Sequence, residues 1–147
     1  MYVLRCKIKK IFSLILIALF LFCGCSTTVE DLMPEIPVIS GDFEVHFINV
    51  GQADSALIVC EGKTMLIDGG NVPDSSFLYS YLKKYSVDVL DYVVLTHAHE
   101  DHVGGLPGAM RYADVGAVIA PDAASDSKCY KDFEKAVKND AAGRAAD

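Results

Sequence analysis

Beyond its first two dozen residues, the 147-residue chain has no long apolar run, no internal repeat and no low-complexity tract. A polytopic membrane protein and a repeat array are thereby excluded, and the length suits one domain. Positive charge is also scarce. Thirteen Lys and Arg against 20 Asp and Glu give a formal charge of −7, and residues 1–24 hold Arg5, Lys7, Lys9 and Lys10 with no acid, so the remainder stands at −11. Such a chain is repelled by phosphate backbones unless a local cationic element or a bound metal intervenes, which argues against nonspecific coating of nucleic acid. Cysteine is sparse in the part that folds: three of the five lie within the first 25 residues, leaving Cys60 and Cys129. A disulfide between these two and a pair of separate thiols both fit, since export permits pairing but Cys60 ends an apolar strand pattern and Cys129 lies in a helical one.

The first 24 residues read as an export signal. Four cations precede the apolar run Ile11 to Cys23, broken only by Ser13, which is the n-region and h-region arrangement of a signal peptide. The run is shorter than the roughly 20 apolar residues of a bilayer-crossing helix. The sequence Leu21-Phe22-Cys23-Gly24-Cys25 resembles the lipobox of bacterial lipoproteins, which implies lipidation of Cys25 and tethering of the exported domain to a membrane by its acyl chains. Residues 25–41 carry Pro34, Pro37, acids, Ser and Thr without periodicity, a spacer pattern. Residues 42–147 are left to fold.

In that part strands come first, followed by strand-helix alternation. Phe43, Val45 and Phe47 alternate with Glu44 and His46, predicting a strand with the aromatic face buried and His46 on the polar surface. Ala56 to Cys60 and Thr64 to Ile67 predict two more strands around the tight turn at Glu61-Gly62-Lys63. Asp74 or Ser75 can cap a helix in which Leu78, Leu82 and Tyr85 share a face, with Lys83 and Lys84 at the cation-favouring C-terminal end. Strands over Val89 to Leu95 and Val115 to Ala120, a short helix around Leu106 to Tyr112 and a helix from Asp126 to Lys138 follow. Ala141 to Asp147 shows no pattern.

Three of the four histidines fall in His97-Ala98-His99-Glu100-Asp101-His102, directly after a predicted strand. Alternate residues of an extended backbone share a side, so His97 and His99 can reach one metal. Asp101 and His102 follow as the chain turns, an oxygen and a nitrogen able to hold a second cation nearby. Zinc accepts this mixture of ligands, and Gly104 and Gly105 let backbone pass close by. A structural metal clip without catalysis and a solvated polar loop are the plainer alternatives.

The hexapeptide matches the His-x-His-x-Asp-His motif at every specified place, and Leu66-Ile67-Asp68-Gly69-Gly70 resembles a strand ending in the family's first-motif Asp; together they make the chain similar to the metallo-β-lactamase superfamily of binuclear metal hydrolases. The opening Phe47-Ile48-Asn49-Val50-Gly51-Gln52-Ala53-Asp54-Ser55 further resembles the subgroup containing the extracellular hydrolase domain of DNA-uptake competence proteins, with Asn49 and Ala53 where Asp and Gly are usual. The resemblance implies an α/β four-layer αββα sandwich. It also implies metal site one on His97 and His99, site two on Asp101 and His102 with Asp101 serving catalysis, and Asp68 bracing the ligand loop. The implied cofactor is one or two zinc ions, with manganese as the alternative. The implied reaction is attack of activated water on a phosphodiester or other ester, of a small molecule, nucleotide or nucleic acid; β-lactam opening is a further alternative.

No histidine follows His102, whereas the family completes its sites with His, Asp and His further on. The expectation is therefore the N-terminal half of the fold, with an uncovered inner sheet face prone to aggregation, weak metal binding and little or no turnover. A noncatalytic surface lipoprotein that keeps a structural metal loop is the reading from another function class.

Overall fold

The computed structural model describes residues 39, 41–122 and 125–144. The signal, Cys25 and the spacer, except for Ile39 and Gly41, lie outside them, as do residues 145–147. Among the described residues no helix is long and apolar enough to cross a membrane.

Five strands form one mixed sheet in the order of the chain: β1 (Phe43–Phe47), β2 (Ala56–Cys60), β3 (Lys63–Ile67), β4 (Val89–Val94) and β5 (Asp114–Ile119). β1, β2 and β3 run antiparallel, and β3, β4 and β5 parallel. The parallel pairs need crossovers, which are supplied by α1 (Ser75–Lys84) and by the short helices α2 (Glu100–Val103) and α3 (Leu106–Ala109); α4 (Lys128–Arg144) follows β5. The β2–β3 turn is tight because Glu61 and Gly62 both take positive φ, 49° and 77°, the backbone that two-residue hairpin loops require. The α/β class expected from the sequence is borne out, and the described residues build one sheet layer and one helix layer of the four expected.

Cross-strand register shows where the core sits. His46, Leu57, Leu66, Val93 and Val118 form one row across all five strands. Within that row Leu57, Leu66 and Val93 are fully buried, in one cluster with Leu78 and Leu82 of α1 and Tyr130 and Phe133 of α4. The flanking rows lie on the opposite face: Val45, Ile58, Met65, Tyr92 and Ala117, then Phe47, Ala56, Ile67, Val94 and Ile119. This face is apolar and open, with Phe47 87 %, Phe43 64 % and Ile119 53 % exposed.

The burial expected of β1 is thus reversed. Its aromatic face is open, while His46 lies half-buried, its Nδ1 2.9 Å from the Tyr81 hydroxyl and its ring edge-on to Tyr85 with centroids 5.3 Å apart. The tyrosines of α1 offer a polar group and a ring face together, so the polar side of β1 finds partners under the helix. Three smaller corrections follow. α4 runs to Arg144, through residues that showed no pattern, and its start, Lys128, lies two residues later than expected. α3 ends at Ala109. Asp74 occupies the N-cap of α1 as expected, but its carboxylate accepts the Asn71 N–H at 2.8 Å and makes no cap bond to the helix. Cys60 is exposed and Cys129 buried, two separate thiols.

Candidate metal centre

The hexapeptide sits where β3 and β4 end side by side. Parallel pairing continues one step past β3, where Asp68 N–H donates to the Val94 carbonyl at 2.9 Å, bringing Asp68 beside Thr96. Asp68 takes φ +54°, a conformation that Asp tolerates better than most residues. The Gly-Gly pairs then let two backbones touch. A Cβ on Gly69 would strike the Leu106 amide nitrogen, and one on Gly105 the Gly69 carbonyl oxygen. In their absence Gly69 N–H donates to the His102 carbonyl at 2.6 Å and Gly105 N–H to that of Gly70 at 3.1 Å.

Asp68 is only 3 % exposed, and a buried carboxylate is costly unless donors surround it. Here there are three. Thr96 N–H donates to Oδ1 at 2.8 Å, the Thr96 hydroxyl to Oδ2 at 2.6 Å and His102 Nδ1 to Oδ2 at 2.8 Å. The last bond puts a proton on His102 Nδ1, since a carboxylate only accepts; in the neutral ring that leaves the Nε2 lone pair free. Thr96 Oγ1, with its proton given to Asp68, accepts from His97 Nδ1 at 3.1 Å, which leaves the Nε2 lone pair of His97 available as well. Such outer partners orient metal-binding imidazoles.

α2 determines which side chains meet. Its N-cap is His99, and His102 and Val103 N–H donate to the His99 carbonyl at 3.1 and 3.0 Å. That single turn folds Asp101 and His102 back beside His97, so that one ligand atom from each of the three lies within 4.8 Å of the others. The His97 and His102 rings are 3.8 Å apart by centroid. His99 is exposed and flanks His97, their centroids 4.8 Å apart, but it stands outside the three-atom group. Two nitrogens, one carboxylate and room for further ligands fit a divalent cation; zinc, manganese and iron all accept this set.

Two residues escaped the sequence reading. Thr96 precedes the motif and had no recognisable spacing. Asp54 belongs to the opening segment, whose resemblance was read for subgroup alone; its Oδ2 lies 3.7 Å from His102 Nε2. A cavity of about 740 Å³ between α3 and α4, lined by Met110, Arg111, Asp132 and Lys135 among others, includes no residue of the hexapeptide.

A family model described as the metallo-beta-lactamase superfamily matches residues 48–128, more than half of the chain. Among curated proteins, ComE operon protein 3 of Bacillus subtilis is 27 % identical over 67 % of this chain and 15 % of its own length. Transcription termination factor FttA of Methanocaldococcus jannaschii is 38 % identical over 55 % of this chain and 14 % of its own. Anaerobic nitric oxide reductase flavorubredoxin of an Enterobacter species is 31 % identical over 52 % and 16 %. The chain thus spans about a seventh of the length of these relatives.

Proposed function

The chain belongs to the metallo-beta-lactamase superfamily, and from that membership we propose that it supplies the metal-gripping part of an exported, membrane-tethered phosphodiester hydrolase. The observation that carries the reading is the Asp68–Thr96 network, which holds His97 and His102 by their Nδ1 atoms so that a ligand atom of each comes together with one of Asp101. His97, Asp101 and His102 would hold a divalent ion, with His99 alongside as a further donor. An ion bound there would acidify water and polarise a phosphoryl oxygen.

The protein's own part is positional. Asp68 holds His102 by Nδ1, Thr96 relays the same anchor to His97, and the α2 turn aims Asp101. Asp101, half-buried, can accept a proton or bind metal at the solvent side of the loop. Phosphodiesters are favoured over β-lactams by the resemblance of the Phe47–Ser55 opening to the DNA-uptake competence subgroup. Export and tethering rest on the cationic-apolar N-terminus and Cys25.

Elemental analysis of dialysed protein after zinc or manganese loading tests the metal reading, with His97→Ala as the control that should lose the ion. Cleavage of bis-p-nitrophenyl phosphate but not nitrocefin by the metal-loaded protein is the expected substrate preference. Nitrocefin turnover alone would replace the phosphodiester reading. Metal retention with neither activity would favour a structural metal loop.

A further inference from the structure

The loop between β1 and β2 is fastened to the candidate metal centre at two adjacent residues, Asp54 and Ser55. Asp54 N–H donates to the Asp101 carbonyl at 3.2 Å, the Asp54 carbonyl accepts the Gly70 N–H at 2.9 Å, and the next residue, Ser55, donates through Oγ to the Asp68 carbonyl at 3.0 Å. The backbone around Asp54 is therefore tied to both loops that build the site. The side chain is 77 % exposed, yet its Oδ2 stands 3.7 Å from His102 Nε2, the same distance as Asp101 Oδ2.

That geometry is too long for a hydrogen bond. His102 Nε2 therefore faces two carboxylate oxygens at equal distance without bonding either, the disposition of donors around a shared cation. Donors at about 2.1 Å from one divalent ion are separated by roughly 3.4 Å in tetrahedral coordination, close to the 3.7 Å from His102 Nε2 to each carboxylate, although Asp54, like His99, stands outside the group of three whose ligand atoms all lie within 4.8 Å.

Resting on the metal reading above, we propose that Asp54 is a ligand of the divalent ion, delivered from the β1–β2 loop to the solvent side of His102. The assignment enlarges the donor set beyond the hexapeptide. It also gives the Gly51–Ser55 loop a role in the site, since the ion would be shared between two loops far apart in sequence.

The test is zinc affinity of the full chain by chelator competition, together with the Mn(II) electron paramagnetic resonance spectrum, for wild type, Asp54→Asn, Asp54→Glu and Glu100→Gln. Glu100→Gln removes a nearby exposed charge that touches none of these donors. Asp54→Asn is expected to weaken affinity by at least about tenfold and to alter the Mn(II) spectrum, Asp54→Glu to recover most of the affinity, and Glu100→Gln to change it less than threefold. Equal losses in Asp54→Asn and Glu100→Gln would overturn the proposal in favour of a general charge effect. Unchanged affinity in Asp54→Asn, while His97→Ala still abolishes binding, would overturn it and leave the metal reading intact. If wild type binds no ion, both readings fall.

Discussion

Two neighbouring rows of one sheet have opposite surroundings. His46, Leu57, Leu66, Val93 and Val118 face the helices, and Leu57, Leu66 and Val93 are completely buried; in the adjacent row, Phe47, Ala56, Ile67, Val94 and Ile119 face outward with Phe47 almost fully exposed. Both rows are largely apolar, so apolarity alone does not decide which side the helices cover. The crossovers do, since α1 to α3 all lie between parallel strands and pack on one side. An apolar sheet face of this extent is the kind of surface that another layer covers. The candidate metal centre depends on neither face. It is built at the rim, where β3 and β4 end, and from backbone contacts that the glycines permit.

Side-chain truncation separates the two rows most strongly. Leu66→Ala should cost about 2–5 kcal/mol, the range for a fully buried Leu, whereas Ile67→Ala, next to it but on the open side, should cost well under half as much; urea unfolding of the two variants measures the gap. Asp68→Asn, which keeps a side chain tolerant of positive φ, should lower zinc affinity about 10–100-fold and destabilise the apo protein by about 1–3 kcal/mol through lost charged hydrogen bonds, as isothermal titration and thermal unfolding would show. His46→Ala should cost about 1 kcal/mol by removing the bond to Tyr81, a direct check that the polar side of β1 is the packed one. Phe47→Ser should change stability by less than about 0.5 kcal/mol yet lower self-association in sedimentation, because the exposed ring contributes surface rather than core.

The smallest effect is electrostatic. Lys63 lies 2.6 Å from Asp91; hydrogen bonds from Lys63 and the Thr64 N–H hold the Asp91 carboxyl below its ordinary value, and Asp91 raises Lys63 above its own. A depressed carboxylate contributes stability that is present above the unfolded value, about 3.9, and is lost as pH falls through the folded one. The melting-temperature difference between wild type and Asp91→Asn should therefore shrink on acidification below about pH 4 and shrink with added salt. A gap that persists at low pH would mean that Asp91 acts through packing.

Much of this architecture was legible in the residues. All five strands, the α1 stripe of Leu78 and Leu82 and the histidine-rich loop follow from periodicity and spacing. The burial of β1 was not, because period-two alternation marks two faces without saying which one a helix will cover, and the tyrosines that accept His46 are 35 residues or more away. The grouping of His97 with Asp101 and His102 was also hidden, since α2 is a single turn of four residues, too short to carry a periodic signal. Thr96 and Asp54 act through contacts that close only when the ends of β3 and β4 and the β1–β2 loop meet in space.

We propose above that the hexapeptide, with Asp68 fixing His102, grips a divalent ion. Isothermal titration of zinc into metal-free wild-type protein and His102→Ala tests it most directly. Saturable binding of one ion per chain in wild type and its loss in the variant are expected; the same heats from both proteins, or none from wild type, would overturn the reading.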